Sequence, residues 1–111
     1  MIQELASEKE WGELLEKSTE KLVLLFKHST SCPVSAEAYQ EFRSFVEKHT
    51  SDPYEYGLVK VIESRPVSNK IAEELDVKHQ SPQLIVIKDN AVRWHDSHWR
   101  ITEAKIAEVV S

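Results

Sequence analysis

The chain has 111 residues, of which 41% are hydrophobic and 30% are charged, and this length predicts one compact domain spanning residues 1–111. The formal net charge of −5 argues against a nucleic-acid partner, and the single cysteine excludes an internal disulfide and a four-cysteine metal site. The longest uninterrupted apolar run, Leu22–Phe26, is too short to cross a membrane and the first residues lack a signal-peptide pattern, so we expect a cytoplasmic protein without a membrane partner.

The first half of the chain is predicted to form a helix, a strand and a second helix. Ser7 and Glu10 have capping-box spacing, which predicts a first helix that ends near residue 18. The run Leu22–Phe26 has no polar alternation and is typical of a strand buried on both faces, as in parallel sheets. Pro33 is favoured in a first helical turn, and the apolar spacing after it predicts a second helix to about residue 48.

The second half of the chain continues the alternation and then changes to a hairpin. Leu58–Ile62 is predicted to be a short strand, and apolar residues at helical spacing follow it, with Pro66 near the start of that third helix. Leu84–Ile87 is a third apolar strand. The turn pair Asp89–Asn90 joins it to a fourth strand of alternating polarity, which gives an antiparallel hairpin.

The order of these elements predicts the fold class. Thr102 is a suitable N-cap for a last, fourth helix. A strand-helix-strand unit requires a crossover connection and produces parallel strands, whereas a hairpin produces antiparallel ones. We therefore predict an α/β fold with a four-stranded mixed sheet and helices on both of its faces.

Cys32 is the residue best placed for chemistry. It follows a buried strand and directly precedes the helix that Pro33 opens, so its sulfur is expected to face that helix N-terminus. Unpaired backbone N–H groups and the helix dipole at such a site stabilise a thiolate, which is the nucleophilic form of cysteine. Lys27 and His28 would add positive potential if their side chains faced the sulfur. The alternatives are a small buried apolar residue and a cysteine-protease nucleophile, which would need a histidine base nearby.

The sequence around Cys32 resembles a known active site. Cys32-Pro33-Val34-Ser35 looks like the motif of the thioredoxin superfamily, with serine in place of the second cysteine. Ser81-Pro82, just before a sheet strand, resembles the cis-proline that faces the cysteine in that fold. Together with the segments 28–35, 79–83 and 97–102, these residues resemble the YtxJ-type monothiol bacilliredoxins across essentially the whole chain.

The resemblance implies a thioredoxin-like fold and a thiol-disulfide oxidoreductase that removes bacillithiol from protein mixed disulfides. It implies that Cys32 is the attacking residue, that no cofactor is bound, and that bacillithiol is the co-substrate. The implied partners are bacillithiolated proteins, and we expect the chain to act as a monomer. The substrate-binding residues implied in this way are Ser31, Pro33, Val34, Ser35, Ser81 and Pro82. The residues alone favour an ordinary trans bond before Pro82, whereas the resemblance implies a cis bond.

Serine at position 35 determines which mechanism is available. Without a second thiol, the monomer has no residue to close an intramolecular disulfide, so Cys32 would take the small thiol onto itself and a second small thiol would release it. The Ser35 side chain is expected either on the helix surface or in a hydrogen bond to the thiolate. Two other functions stay open: an iron-sulfur cluster carrier of the monothiol-glutaredoxin type, and a redox-inert adaptor that binds a partner protein.

Other side chains that could bind a ligand are given less specific interpretations. The histidines near strand ends, His28, His79, His95 and His98, favour solvated or hydrogen-bonded roles over a metal site. Arg65 and Lys70 at the start of the third helix are either ordinary surface charges or binding residues for an anionic thiol. The three tryptophans are expected to be packing residues, and Trp99 is given no role.

Overall fold

In the computed structural model, which describes residues 2–110, five strands form one mixed sheet with α-helices on both faces. The sheet order is β1-β3-β2-β4-β5, in which β1, β3 and β2 run parallel while β4 and β5 add as an antiparallel hairpin. The elements in chain order are β1 (Ile2–Glu4), α1 (Glu8–Lys17), β2 (Leu22–His28), α2 (Pro33–Lys48), β3 (Tyr54–Lys60), α3 (Arg65–Leu75), β4 (Gln83–Lys88), β5 (Ala91–Ser97), a 3₁₀ turn (His98–Arg100) and α4 (Glu103–Val110).

The predicted α/β class and mixed sheet are confirmed, but the predicted count of four strands is wrong. The additional strand is β1, whose three residues carry no readable alternation of apolar and polar side chains. It forms because the chain before α1 lies along β3 at the sheet edge, and Leu5 N–H donates to the Leu58 carbonyl at 2.8 Å. The fully buried Leu5 side chain anchors this segment in the core.

The predicted strand at Leu58–Ile62 is shifted by several residues from the strand observed. β3 begins at Tyr54 and ends at Lys60. Partly buried Tyr54 and buried Tyr56 pack against the core at the start of the strand, but their polar neighbours in the sequence made this part hard to recognise as a strand. Ile62 lies outside the strand and is 52% exposed. The bounds of α2, in contrast, match the prediction.

Local capping explains where the other elements begin and turn. Ser7 caps α1 by accepting a hydrogen bond from Glu10 N–H at 3.2 Å, while the Glu10 carboxylate accepts from Ala6 N–H at 2.9 Å. Thr102 Oγ1 accepts from Lys105 N–H at 3.1 Å and so caps α4 as predicted. Both residues of the Asp89–Asn90 turn have positive φ, the conformation that suits a two-residue hairpin.

Two apolar clusters hold the sheet between its helices. One lies between the sheet and helices α2 and α4, and the other lies between the sheet and helices α1 and α3. Consecutive residues of β2 enter them alternately, so the strand is fully buried from Val23 to Lys27. This central strand therefore fixes the point at which the chain leaves the sheet toward α2. No α-helix within residues 2–110 is long and apolar enough to cross a membrane.

Candidate active site

Cys32 lies at the N-terminus of α2, as the sequence predicted. It is the N-cap residue, with extended backbone (φ −107°, ψ 121°), and its carbonyl accepts the first helical hydrogen bond from Ala36 N–H at 3.0 Å. Its own N–H donates to the Ser29 carbonyl at 3.2 Å, which closes the short turn after β2. Cys32 is half-buried, and its thiol makes no capping hydrogen bond. Cys32 is therefore a partly exposed residue beside the unpaired N–H groups of the first helical turn.

The neighbours of Cys32 in the chain leave a reactant room to approach it. Ser31 and Pro33 are exposed, and Val34 is half-buried. Pro33 occupies the first helical position, where its missing N–H costs no helical hydrogen bond. These three residues flank Cys32 in the chain, and the substrate-binding role that the resemblance implies for them stays a prediction.

Pro82 lies at the same edge of the sheet. The Ser81–Pro82 peptide bond is cis, as the resemblance implies. Lys27 of β2 pairs with Gln83 of β4, which places Pro82 level with the end of β2, where the chain turns toward Cys32. Pro82 is buried, and its carbonyl accepts from His98 N–H at 3.2 Å, which links the 3₁₀ turn to this edge.

Ser35 is fully buried, so the expectation of a helix-surface serine is wrong. Its Oγ accepts a hydrogen bond from Ser29 N–H at 2.9 Å and lies 2.7 Å from His28 Nδ1. These contacts tie the first turn of α2 to the end of β2 and to the turn that leads to Cys32. The hydroxyl therefore bonds His28 and Ser29 instead of the thiol in this structure.

His28 is half-buried on the side of the sheet that α2 covers. Its ring stacks on Tyr39 with a centroid distance of 5.0 Å and an interplanar angle of 26°. Burial lowers the pKa of His28, while Glu63 raises it and Lys60 lowers it by smaller amounts. The imidazole is therefore predominantly neutral at pH 7, and either of its nitrogens can hold the proton.

Lys27 is fully buried on the opposite face of the sheet, because successive side chains of a strand alternate. Its Nζ lies 3.2 Å from His79 Nδ1, and Ser68 Oγ lies 3.4 Å from the same nitrogen. Burial lowers the pKa of Lys27 to about 8. Burial also lowers the pKa of His79, as do the charges of Lys27 and Arg65. An amine thus lies beneath the active-site edge with a histidine as its hydrogen-bond partner.

A cleft of about 360 Å³ lies between α2 and the 3₁₀ turn. Trp99 is 67% exposed at this cleft, and His98 adopts a positive φ of 57° beside it. Beyond an unassigned tryptophan, no signal in the sequence predicted this feature. The other tryptophans pack as predicted, with Trp11 buried and its Nε1 donating to Glu74 at 2.7 Å, and Trp94 partly buried against the core.

The structure disperses the remaining candidate ligand residues. His95 and His98 are exposed on β5 and the 3₁₀ turn, whereas His28 and His79 lie on opposite faces of the sheet. Within residues 2–110, no group of three or more His, Cys, Asp or Glu residues is arranged to hold a metal ion. Arg65 is exposed at the start of α3, and Lys70 is half-buried further along that helix.

Comparison with known proteins agrees with this geometry. A family model described as monothiol bacilliredoxin BrxC matches residues 3–106 of the chain. A solved structure described as a proposed oxidoreductase with a thioredoxin fold superposes with a TM-score of 0.89 and 28% identity, covering 99% of this chain and 94% of the other.

Thioredoxins share the fold at lower sequence identity. The thioredoxin of Fasciola hepatica superposes with a TM-score of 0.77 and 17% identity, covering 97% of this chain and 95% of the other. The thioredoxin of Trypanosoma brucei brucei superposes with a TM-score of 0.79 and 9% identity, covering 99% of this chain and 88% of the other. At these identities the likeness concerns the fold, which is that of thioredoxin.

Proposed function

Because the chain belongs to the monothiol bacilliredoxin family, we propose that it removes bacillithiol from protein mixed disulfides by thiol-disulfide exchange at Cys32. The coarser assignment, a thioredoxin-fold thiol oxidoreductase, follows from the family and the fold. The finer assignment concerns the thiol that is transferred and the residue that attacks. No bound cofactor is needed for this exchange, since the small thiol itself supplies the electrons.

One observation carries the proposal: the only cysteine occupies the N-cap position of α2, and a serine occupies the position one helical turn later. A helix N-terminus stabilises negative charge through its unpaired N–H groups and its dipole. Cys32 is thus suited to attack as a thiolate. Ser35 cannot form a disulfide, so the product of that attack is a mixed disulfide on Cys32.

The proposed reaction has two exchanges. In the first, the Cys32 thiolate attacks the bacillithiol sulfur of the modified protein, the new S–S bond forms as the old one breaks, and the protein leaves as a thiolate. In the second, a free bacillithiol thiolate attacks the adduct on Cys32. This step releases oxidised bacillithiol, the disulfide of two bacillithiol molecules, and restores the Cys32 thiolate. Two molecules of bacillithiol are thereby joined in one disulfide, including the one removed from the protein.

The edge formed by Ser81 and Pro82 is proposed to align the disulfide for this attack. An extended thiol ligand would pair with the backbone of Ser81 as a short additional strand. Ser31, Pro33 and Val34 would contact the same ligand from the side of α2. A reducing cytoplasm suits this chemistry, because Cys32 must be a free thiol between turnovers.

The test is intact-mass spectrometry after the reduced protein is mixed with a model protein that carries bacillithiol, glutathione or coenzyme A as a mixed disulfide. We expect rapid transfer of bacillithiol to Cys32, with release of the unmodified model protein, and much slower transfer of the other two thiols. Cys32→Ala is the matched control and should acquire no adduct.

Other outcomes identify the alternatives. A wild-type protein that acquires no adduct faster than a free small thiol does would contradict the oxidoreductase function. Visible absorption after anaerobic purification would then indicate an iron-sulfur cluster carrier. Unchanged partner binding by Cys32→Ser would instead indicate a redox-inert adaptor.

A further inference from the structure

The hydrogen bonds of Ser35 determine which group can accept its single hydroxyl hydrogen. A serine hydroxyl has one hydrogen to donate and two lone pairs to accept with. Ser29 N–H occupies one lone pair at 2.9 Å. His28 Nδ1, at 2.7 Å, either accepts the hydroxyl hydrogen or, when it carries a proton itself, donates to the second lone pair. Only in the second state is the Ser35 hydrogen free to be donated elsewhere.

We take the Cys32 thiolate as the recipient of that hydrogen. Ser35 is the third residue of α2 and Cys32 is its N-cap, so the two are one helical turn apart on the same face. An N-cap side chain can reach the backbone N–H of the third helical residue, although Cys32 makes no such bond in this structure. Because Ser35 is fully buried, the interior around it offers no bulk water as an alternative acceptor. A thiolate at Cys32 accepts a hydrogen bond more strongly than a neutral thiol does.

We propose that His28 is a positioning residue that determines which group the Ser35 hydroxyl donates to. When Nδ1 carries a proton, the hydroxyl donates to the Cys32 thiolate and stabilises it. When Nδ1 carries no proton, the hydroxyl donates to Nδ1 instead. The inference rests on the proposed role of Cys32 as the attacking residue. The inference gives Ser35, which stands in place of the second cysteine of the motif, a function of its own. Through its hydrogen bonds, Ser35 links the protonation state of His28 to the Cys32 thiolate.

The surroundings of His28 permit it to titrate. On the α2 side its ring stacks on the ring of Tyr39. From β3 and the turn that follows it, Lys60 and Glu63 act on the imidazole with opposite signs. Glu63 also accepts a hydrogen bond from Thr30 Oγ1 at 3.1 Å, in the turn before Cys32. The two charges oppose each other, so the contact with Ser35 is the directional interaction at Nδ1.

The consequence is a coupling between two titrations. With the proton of neutral His28 on Nε2, so that Nδ1 accepts from Ser35, protonation at Nδ1 favours the thiolate, and by reciprocity the thiolate favours protonated His28. The rate at which Cys32 is alkylated should therefore follow two inflections with pH instead of one. Burial lowers the pKa of His28, which places its inflection below the usual value of about 6.5.

The test measures the rate of Cys32 alkylation by iodoacetamide from about pH 4.5 to 9 in the reduced, full-length protein. We expect two inflections in the wild type and a single ionisation curve in both His28→Phe and Ser35→Ala. Phenylalanine keeps an aromatic ring against Tyr39 but removes the hydrogen bond. The matched control is His95→Gln, which removes an exposed histidine of β5 and should leave both inflections in place.

A single ionisation curve in the wild type would overturn the inference. Two inflections that persist in Ser35→Ala would also overturn it, because His28 would then act directly through its charge and not through the hydroxyl. Two inflections that persist in His28→Phe would assign the coupling to another group. Alkylation does not involve bacillithiol, so the absence of this coupling and a failure of bacillithiol transfer are detected by separate measurements and can be told apart.

Discussion

At the scale of single residues, serine at position 35 limits the protein to one-thiol chemistry. Ser35→Cys should convert it to a two-thiol reductant, because the introduced thiol would attack the adduct on Cys32, expel the small thiol and leave an intramolecular disulfide. Intact mass after reaction with a bacillithiolated protein should show a chain about 2 Da lighter than the reduced form, in place of the wild-type adduct.

Ser44→Cys provides the matched control for this substitution. Ser44 lies on the same helix, but its Cα is about 18 Å from that of Cys32 at 1.5 Å per residue, so a thiol there cannot close the ring. The control should retain the adduct on Cys32. A persistent adduct in Ser35→Cys would mean that position 35 cannot reach the sulfur, which would also weaken the proposed link between Ser35 and Cys32.

The buried amine of Lys27 should make stability depend on pH. Its pKa falls from the ordinary 10.5 to about 8 on folding. Below pH 8 both states carry the charge and the folded state bears the full cost of burying it. Between about pH 8 and 10.5 the unfolded chain binds more protons than the folded one, so this residue's contribution raises stability as pH rises. Tyr56, whose pKa burial raises to about 12, has the opposite effect above pH 10.

Lys27→Met should therefore raise the free energy of unfolding at pH 7 by about 2 kcal/mol. It should also remove the part of the increase in stability above pH 8 that is due to Lys27. The measurement is urea unfolding of both proteins from pH 7 to 10, because the difference between them cancels the contribution of Tyr56. Lys21→Met, at an exposed position, is the control and should change stability by less than about 0.5 kcal/mol. A destabilised Lys27→Met would instead show that the contact with His79 outweighs the cost of burial.

The positions of the site residues could be predicted from the sequence, but their mutual contacts could not. Cys32 and Pro82 stand in recognisable motifs, and a strand followed by a helix determines where such a cysteine lies. Lys27 and His28 are adjacent in sequence, yet their side chains lie on opposite faces of the sheet. Which residue faces which side depends on the register of β2 in the sheet. The bond between Ser35 and His28 joins residues on two elements, so spacing alone does not reveal it.

At the scale of elements, strongly patterned segments were predictable and context-dependent ones were not. The bounds of α2 follow from Pro33 and a continuous apolar stripe. The edge strand β1 has three residues and exists because β3 offers it a partner. Its formation depends on tertiary packing that no local pattern records.

The two glycines provide a matched test of element packing. Gly12 lies in the interior of α1, where an added Cβ meets nothing within 4 Å, so Gly12→Ala should raise the free energy of unfolding by about 0.5–1 kcal/mol. Gly57 lies in β3, where an added Cβ would come 2.5 Å from Leu14 Cδ2 and 3.2 Å from Leu25 Cδ1. Gly57→Ala should lower that free energy by about 1–2 kcal/mol, since buried Leu14 must move.

Urea unfolding of the two variants measures both effects with the same chemical change. Opposite signs are expected. If Gly57→Ala proved neutral, the end of the Leu14 side chain would have room to turn away, and the interface between α1 and the sheet would be looser than its burial indicates.

At the scale of the whole molecule, the candidate active site is built on the most deeply buried part of the sheet. β2 pairs with β3 on one side and β4 on the other, and both of its faces lie under helices. The end of β2 carries the turn to Cys32, and the start of β4 carries Pro82. The two sides of the proposed reaction edge thus belong to adjacent, interior strands, which keeps their relative position stable.

Native-state hydrogen exchange should reveal this arrangement. Backbone amides of Val23–Phe26 and Leu84–Ile87 should exchange only through global unfolding, because local opening would expose both core clusters. Amides of the edge strand β1 and those of the Ser29–Cys32 turn should exchange at least about tenfold faster, since few contacts must break to free them. NMR-detected exchange at several denaturant concentrations separates the two classes. Equal protection of β1 and β2 would mean that the sheet opens as one unit. The turn that carries Cys32 would then be the part of the candidate site that can change conformation when a modified protein binds.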